Sequence, residues 1–347
     1  MARIIGKGYS YNDVLIAPKY NKVQSRKEVD LKTKVTRNYS IDIPIIAANM
    51  DTICESKMAI AIGKLGGLGV VHQFMTISEE VNEVKKIKEA GLIAAAAIGI
   101  KDVEERVKAL SEAGVNILVI DLAHGHSKYA GKTLDFLKQN YPKIDIMVGN
   151  IATKDAAEYF LSKGADAIKI GVGPGSMCTT RIMTGAGVPQ LTAIMDVYEA
   201  TKGEIPICAD GGIKNPGEIV KALGAGANTV MVGFLFSGTE ETPGEIIEKE
   251  DKKYKLYRGS ASFDVSLKKA FLHGEENKRI ISVEGEQTLI PYKGSIKPLI
   301  EKYVGGIASG MTYVGANEMK KLIGKADFIE ISEAGFKESI ANGVSNL

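Results

Sequence analysis

The chain has 347 residues, of which 45% are apolar and 25% are charged, a balance typical of globular domains rather than disordered or collagenous sequences. Its 44 basic and 42 acidic residues give a formal net charge of +2, so no charge excess indicates a nucleic-acid or membrane partner. Three scattered cysteines and an N-terminus without an apolar core argue against a disulfide framework and a signal peptide. We therefore expect a cytoplasmic protein that does not span a membrane.

Short apolar runs recur along the chain, and a helix-like stretch follows most of them. Continuous apolar runs of this kind are typical of parallel strands that are covered on both faces. The predicted strands are Ile43–Ala48, Leu68–His72, Ile93–Ile98, Asn116–Asp121, Asp145–Gly149, Ala167–Gly171, Ile205–Asp210 and Asn228–Gly233. The clearest predicted helices are Ile77–Ala90, Val103–Ala113, Lys154–Lys163 and Pro216–Leu223.

The regular spacing of these runs predicts an α/β fold, a (β/α)₈ TIM barrel that forms a single domain over residues 1–347. The alternative is a doubly wound open sheet. That fold usually begins with a glycine-rich fingerprint after its first strand, whereas residues 49–55 here read NMDTICE. We therefore favour the barrel.

Two connections are longer than a barrel requires. Residues 171–190 form a glycine-rich loop after the predicted sixth strand, and residues 238–322 follow the predicted eighth strand. Long connections in compact domains are usually functional, and both emerge on the face of a barrel that carries active sites. We predict a catalytic loop and a flap with a C-terminal extension.

Cys178 lies in the first of these loops, among glycines and hydroxyl side chains. Backbone N–H groups and the nearby Arg181 would favour its thiolate, so we expect a nucleophile rather than a buried, inert thiol. Cys54 and Cys208 lack such surroundings and are interpreted as packing residues. The same loop could bind a monovalent cation through backbone oxygens, with Gly173, Gly175, Cys178 and Arg181 as candidates.

Strand ends supply the other candidate ligand contacts. Asp210-Gly211-Gly212 and Gly233-Phe234 follow strands seven and eight, where barrels commonly bind phosphate, and Asp210 suits ribose hydroxyls. Asp121-Leu122-Ala123 and Asn150 follow strands four and five and are expected to contact substrate or cofactor. His72, His124 and His126 could suggest a metal, but no third ligand is evident, so we expect structural roles for most histidines.

GVGPGSMCTTR, together with IAANMDT, ADGG and MVGF, resembles the IMP dehydrogenase and GMP reductase family, from YNDVLIAP (11–18) to YVGA (313–316). The resemblance implies a barrel, a purine nucleotide substrate (GMP or IMP), a nicotinamide cofactor, a potassium-like ion, a cysteine that attacks purine C2 and usually a homotetramer. Many dehydrogenases in the family insert a CBS pair after strand two, and we predict that it is absent here because a short helix follows His72 within a few residues.

The predicted flap distinguishes the two branches of the family. The dehydrogenase Arg-Tyr pair would fall at about Leu272-His273, whereas VEGEQTLIPYKG resembles the reductase segment. We therefore predict a GMP reductase that uses NADPH, with an IMP dehydrogenase that uses NAD as the alternative. A catalytically inactive nucleotide-binding barrel is a third hypothesis. Other features instead resemble the dehydrogenase branch, namely the segments DLAHGHS (121–127) and GTEETPGE (238–245). In addition, Gln73 stands at a position where reductases have a lysine.

By this resemblance, the residues divide among three roles. Cys178 is the nucleophile, and Thr180 and Glu284 move protons to the leaving ammonia. The substrate contacts are Ser176, Asp210, Gly211, Gly212, Gly233, Phe234, Tyr257, Gly259, Ser260, Ala261 and Gly285. The cofactor contacts are Asp121, Leu122, Ala123, Asn150, Val172 and Gly173, with Ser25 and Arg26 at the extra phosphate of NADPH.

Overall fold

The computed structural model describes residues 1–275 and 283–340. Part of the predicted flap, residues 276–282, and the terminal residues 341–347 lie outside the described residues. In the described part of the chain, no helix has both the length and the apolar composition needed to cross a bilayer.

Eight parallel strands close into a barrel in chain order, with the eighth paired to the first, so the TIM-barrel prediction is confirmed. The strands are Ile45–Ala47, Leu68–Val71, Ala95–Ile98, Ile117–Asp121, Asp145–Ile151, Ala167–Ile170, Ile207–Asp210 and Thr229–Val232. Each coincides with a predicted run to within two residues at either end. They are numbered one to eight below in this order.

Helices surround the barrel, and most of them connect successive strands. They span Ser56–Lys64, Ile77–Glu89, Val103–Glu112, Lys128–Asn140, Lys154–Ser162, Thr180–Thr184, Gln190–Thr201, Pro216–Ala225, Phe263–Leu272, Lys297–Tyr313 and Glu333–Glu338. The four predicted helices are confirmed. The short helix Thr180–Thr184 within the catalytic loop was not predicted.

Local sequence explains where the helices begin. Thr76 caps one helix by accepting a hydrogen bond from the Glu79 backbone N–H, while the Glu79 carboxylate accepts from the Thr76 N–H. Asn215 caps another helix in the same reciprocal way with Glu218, and Pro216 occupies the first turn, where no intrahelical N–H bond is needed. Both helices begin shortly after the carboxyl end of a barrel strand.

The connection after strand eight contains a small antiparallel sheet and a long helix. Strand Lys252–Arg258 pairs with Ile247–Lys249 on one side and with Gln287–Pro291 on the other. Helix Lys297–Tyr313 packs on Pro216–Ala225, where Gly306 and Gly310 allow close approach to Pro216 and Val220. The predicted flap region therefore also supplies an outer helix of the barrel.

Two short antiparallel pairs lie outside the barrel. Strand Val14–Ile16 pairs with Phe328–Glu330 and so joins the N-terminal and C-terminal segments. Strand Thr33–Lys34 pairs with Ser40–Ile41 just before the first barrel strand. The hydrophobic core is continuous from the barrel interior to the surrounding helices.

Candidate active site

A cavity of about 740 Å³ opens at the carboxyl ends of the barrel strands, the size of a site that encloses a small organic ligand. Its lining comes from strand ends, from the catalytic loop and from the connection after strand eight. Most of the predicted site residues line it: Cys178, Thr180, Glu284, Ser176, Asp210, Gly211, Gly212, Gly233, Phe234, Tyr257, Gly259, Ser260, Ala261, Asp121, Leu122, Ala123, Asn150, Gly173 and Gly175.

Cys178, Thr180 and Glu284 form a hydrogen-bonded chain at the edge of this cavity. The Cys178 Sγ donates to Thr180 Oγ1 at 3.1 Å, and Thr180 Oγ1 donates to Glu284 Oε2 at 2.7 Å. All three side chains are partly exposed. A proton can therefore move between the thiol and the carboxylate through the hydroxyl group without large side-chain movement.

Backbone pairing brings Glu284 to the cysteine, although the two residues are distant in sequence. The Thr179 N–H donates to the Glu284 carbonyl at 2.9 Å, and the Glu286 N–H donates to the Met177 carbonyl at 2.9 Å. A further bond runs from the Glu284 N–H to the Ala261 carbonyl at 3.1 Å. The catalytic loop and the predicted flap are thus joined like neighbouring strands, which fixes the position of the Glu284 side chain.

Gly285 is required by the closeness of these segments. A Cβ atom at this position would lie 2.9 Å from the Ser262 backbone nitrogen and 3.1 Å from the Ala261 carbonyl carbon. Gly285 does not line the large cavity but faces a second cavity of about 470 Å³ behind the pairing. The structure therefore places Gly285 behind the cysteine loop, and a contact with the purine base stays a prediction.

The floor of the cavity is a network of charged and amide groups, which we call the floor cluster: Asp121, Asn150, Lys169 and Asp210. The buried Lys169 Nζ donates to Asp121 Oδ1 at 2.8 Å, to Asp210 Oδ2 at 2.8 Å and to Asn150 Oδ1. Asn150 Nδ2 in turn donates to Asp210 Oδ2 at 2.9 Å. All four side chains are thereby held in one arrangement.

The electrostatics of the floor cluster keep Asp121 and Lys169 charged. Burial by itself would raise the pKa of the Asp121 carboxyl, but Lys169, Lys269 and Asn49 together outweigh burial and hold that pKa below its usual value. Burial would lower the pKa of Lys169, but Asp121 and Asp210 raise it above its usual value. Two carboxylates and one ammonium leave the cluster with a net negative charge.

The loops after strands seven and eight form a turn-rich part of the wall. Gly211 and Gly212 have φ values of +92° and +84°, a conformation that favours glycine. The hydroxyl groups of Ser176 and Tyr257 lie 3.3 Å apart beside Gly233, where an added Cβ would lie 3.2 Å from the Tyr257 oxygen. Backbone N–H groups and hydroxyl donors together suit a phosphate group.

The cation candidates are partly engaged with the protein itself. The Arg181 guanidinium donates to the carbonyls of Val172 at 3.2 Å and Val188 at 2.6 Å, and so ties the catalytic loop together. The Gly175 carbonyl accepts from the Cys178 N–H at 3.1 Å. The described residues contain no cluster of acidic, histidine and cysteine side chains that could hold a metal. Carbonyl binding of a monovalent cation stays a prediction.

Four other predicted contacts do not line the large cavity: Ser25, Arg26, Val172 and Arg181. Arg26 is exposed and begins a short 3₁₀ helix that Ser25 caps. Val172 and Arg181 instead contact each other within the catalytic loop. Within this chain, the structure does not bring Ser25 and Arg26 together with the remaining cofactor candidates.

Cys54, Cys208 and His72 lie in the protein interior. Cys54 and Cys208 are fully buried, and burial raises the pKa of the Cys208 thiol to about 12. His72 is buried and accepts from the Phe74 N–H at 3.0 Å, and its Nε2 lies 3.3 Å from a Glu55 oxygen. These groups are therefore unsuited to nucleophilic attack.

Sequence analysis missed the lysines that line the cavity, and two of them contact other cavity residues. Lys169 interrupts the apolar run Ala167–Ile170, and a charge inside a predicted buried strand was a usable signal. Lys269 lies on helix Phe263–Leu272, and its ammonium lies 4.5 Å from the centroid of the Phe74 ring. Burial lowers the pKa of Lys269. Its sequence neighbours gave no indication that it lines the cavity.

Comparisons with known proteins find similarity over nearly the whole chain. The family model described as IMP dehydrogenase / GMP reductase domain matches residues 8–342. Inosine-5'-monophosphate dehydrogenase from Cryptosporidium parvum is 38% identical, over 98% of this chain and 96% of that protein. GMP reductase from Leishmania donovani is 31% identical, over 98% of each.

A solved structure is similar over nearly the whole length. It is a cysteine-to-alanine variant of GMP reductase from Trypanosoma brucei in complex with guanosine 5'-monophosphate. It superposes with a TM-score of 0.92 at 29% identity, and covers 98% of this chain and 99% of that chain. The alignment with the Leishmania donovani reductase spans 485 residues, whereas this chain has 347. Added segments therefore occur in reductases as well, and chain length does not distinguish the two activities.

Proposed function

Because the chain belongs to the IMP dehydrogenase / GMP reductase family of purine nucleotide oxidoreductases, we propose that it is a GMP reductase. In this proposal GMP, NADPH and one proton are converted to IMP, ammonia and NADP⁺. The observation that carries the proposal is the hydrogen-bonded chain from Cys178 through Thr180 to Glu284. A carboxylate reached through a hydroxyl group is suited to protonating a leaving amine, which only the reductase must do.

The proposed chemistry begins with the thiol. Glu284 takes the Cys178 proton through Thr180, and the sulfur attacks C2 of the purine ring. The protonated Glu284 then returns a proton through Thr180 to the amino group on C2, and the C–N bond breaks to release ammonia. The carbon left behind is a thioimidate. After C2 has been reduced, the C–S bond breaks, and Cys178 is free as IMP departs.

The half of the cavity that is lined by the loops after strands three and four is assigned to the cofactor. A bound nicotinamide would supply the hydride that reduces C2. Asp121, Leu122 and Ala123 follow strand four, Gly99 and Ile100 follow strand three, and all of them line this half. In the part of the site that the structure describes, the Lys269 ammonium forms no ion pair. Its positive charge fits a cofactor that carries phosphate groups. The choice of NADPH over NADH is part of the proposal.

The other half is assigned to the nucleotide. Gly211, Gly212, Gly233, Ser176 and Tyr257 hold its phosphate, and Asp210 accepts from its ribose hydroxyls. Gly259, Ser260 and Ala261 line the base. The proposal also includes a potassium ion that binds carbonyl groups of the catalytic loop. It further includes a homotetrameric assembly and a cytoplasmic location.

IMP dehydrogenase without a CBS module is the second candidate. It is favoured by the 38% identity to the Cryptosporidium parvum dehydrogenase, which exceeds the 31% identity to the Leishmania reductase. Hydrolysis of the intermediate in that branch is expected to need an arginine and a tyrosine in the flap. Leu272 and His273 line the cavity at the corresponding positions, and this difference weighs against the dehydrogenase.

One pair of assays tests the proposal. The purified protein is incubated with GMP and NADPH, and separately with IMP and NAD⁺, and absorbance is followed at the nicotinamide band. We expect NADPH oxidation with stoichiometric release of ammonia in the first assay. NAD⁺ reduction with IMP would instead establish the dehydrogenase, and nucleotide binding without either reaction would establish an inactive barrel.

A further inference from the structure

Lys169 is a buried charge with no assigned role in the proposed reaction. It is 1% exposed and lies on strand six within the apolar run Ala167–Ile170. An isolated ammonium group is among the costliest groups to bury, so a lysine inside a barrel needs acceptors on all sides. Its position at the mouth of the barrel, rather than in the hydrophobic centre, places it against the ligand cavity.

Each of the three acceptors of Lys169 comes from a different strand. Asp121 is at the end of strand four, Asn150 lies in strand five and Asp210 ends strand seven. An ammonium group has three N–H donors, so all of its capacity is used. Because these strand ends are themselves anchored in the barrel, the network has little freedom to rearrange.

The proposed function places the two carboxylates in different halves of the cavity. Asp210 precedes Gly211 and Gly212 on the nucleotide side, whereas Asp121 precedes Leu122 on the cofactor side. We propose that Lys169 is a positioning residue that holds both carboxylates and thereby couples nucleotide binding to cofactor binding. This inference rests on the proposed function, which assigns the two halves.

Removal of the ammonium would leave two partly buried carboxylates close together. Like charges in such a site disfavour ionisation of both groups, so one of them takes up a proton near neutral pH. As the pH rises, that proton is lost, the carboxylates repel each other and Asp210 moves away from the ribose. Without Lys169, nucleotide affinity is therefore expected to fall as the pH rises.

The other groups that act on the cluster do not titrate in the same way. Asn49 donates to Asp121 and has no charge to lose, and burial lowers the pKa of Lys269, which faces the same carboxylate. Near Asp210, burial raises the pKa of two tyrosines and of one thiol, so that all three are neutral between pH 6 and 8: Tyr11, Tyr257 and Cys208. Among these groups, only Lys269 has a pKa that is shifted towards this pH range, so the control variant must remove it.

The test is calorimetric titration of GMP and of IMP into the wild-type protein and into Lys169→Met at pH 6, 7 and 8. We expect wild-type affinity to change less than about 2-fold over this range. For Lys169→Met we expect a loss of about 30-fold or more at pH 8 and a smaller loss at pH 6, since one partner of a buried ion network is missing. A Lys269→Met control removes a neighbouring cation outside the hydrogen-bonded network and should introduce no such pH dependence.

A charge-matched variant separates positioning from a folding defect. Lys169→Met combined with Asp121→Asn removes one positive and one negative charge, so it is expected to fold even where the single variant does not. It should bind GMP within about 5-fold of wild type, with no pH dependence. In the wild-type protein, saturating NADP⁺ should change the Kd for GMP at least about 5-fold. In the double variant, the Kd values for GMP with and without NADP⁺ should be about equal.

Two results would overturn the inference. One is a folded Lys169→Met protein that binds both nucleotides as tightly as wild type at every pH. The other is a double variant in which NADP⁺ still changes GMP affinity as it does in wild type. Failure of the wild-type protein to bind either nucleotide would instead refute the proposed function, on which the inference depends.

Discussion

The two halves of the candidate site are built in different ways. The cysteine, threonine and glutamate are carried by the catalytic loop and the predicted flap, and their geometry comes from backbone hydrogen bonds between residues 177–179 and 284–286. The floor cluster is carried by four barrel strands, and its geometry comes from buried charges. The first arrangement is partly exposed, whereas Lys169 in the second is almost completely buried.

In the proposed function, this difference separates reacting groups from binding groups. A loop and a flap joined by a few backbone bonds can open and close without disturbing the core, which suits residues that must meet substrate and then release it. Strand ends cannot move independently of the barrel, which suits carboxylates that must meet ribose hydroxyls at fixed positions. Substitutions in the loop half should therefore reduce kcat, and substitutions in the floor half should reduce affinity.

The largest effect is expected from Cys178→Ala. Because the sulfur forms the covalent bond to the purine in the proposed reaction, turnover should fall by about 10⁴-fold or more. Affinity for GMP, measured by calorimetry, should stay within a few-fold of wild type because the floor cluster is untouched. NADPH oxidation at an undiminished rate would show that the reacting group lies elsewhere.

Glu284→Gln should be the next most damaging change. It keeps the shape of the side chain but removes the group that accepts a proton from Thr180, so kcat should fall about 10²- to 10³-fold with little change in KM. Steady-state kinetics with GMP and NADPH measure both parameters. Glu286→Gln is the matched control, since Glu286 is exposed two residues away and should retain nearly full activity.

Asp210→Asn tests the floor half. Loss of charge-assisted hydrogen bonds to the ribose and to Lys169 should weaken GMP binding about 10- to 100-fold. The effect should appear in KM and in the calorimetric Kd rather than in kcat. Asp135→Asn removes an exposed carboxylate paired with Lys163 and should change neither constant. A pure kcat defect in Asp210→Asn would contradict the division between the two halves.

Gly285→Ala should have the smallest effect of these substitutions and would sharpen the view that backbone pairing positions Glu284. The added methyl group would push against the Ser262 nitrogen and the Ala261 carbonyl carbon, so the segment must shift and kcat should fall about 10-fold. Gly305→Ala is the control, since nothing lies within 4 Å of its added Cβ on an exposed helix face. Thermal unfolding of both variants separates a local shift from loss of stability.

Much of this architecture could be predicted from the sequence, because strands that are buried on both faces leave a clear apolar pattern. The eight runs marked the eight barrel strands, and Pro216 after Asn215 marked a helix start. The cysteine loop was recognisable because its glycines and hydroxyl residues interrupt that pattern. Glu284, however, was predicted from resemblance alone, since no local pattern places it beside a residue 106 positions earlier.

The sequence by itself therefore determined the order of the strands and which residues stand at their carboxyl ends, since burial imposes a pattern on neighbouring residues. Only the tertiary structure decided which of those residues share a proton or a charge. Lys169 meets Asp121, Asn150 and Asp210 because strands four to seven are parallel neighbours whose carboxyl ends lie together at one mouth of the barrel. Likewise, Arg26 remained outside the cavity although its side chain suited a phosphate, because side-chain chemistry carries no information about distance.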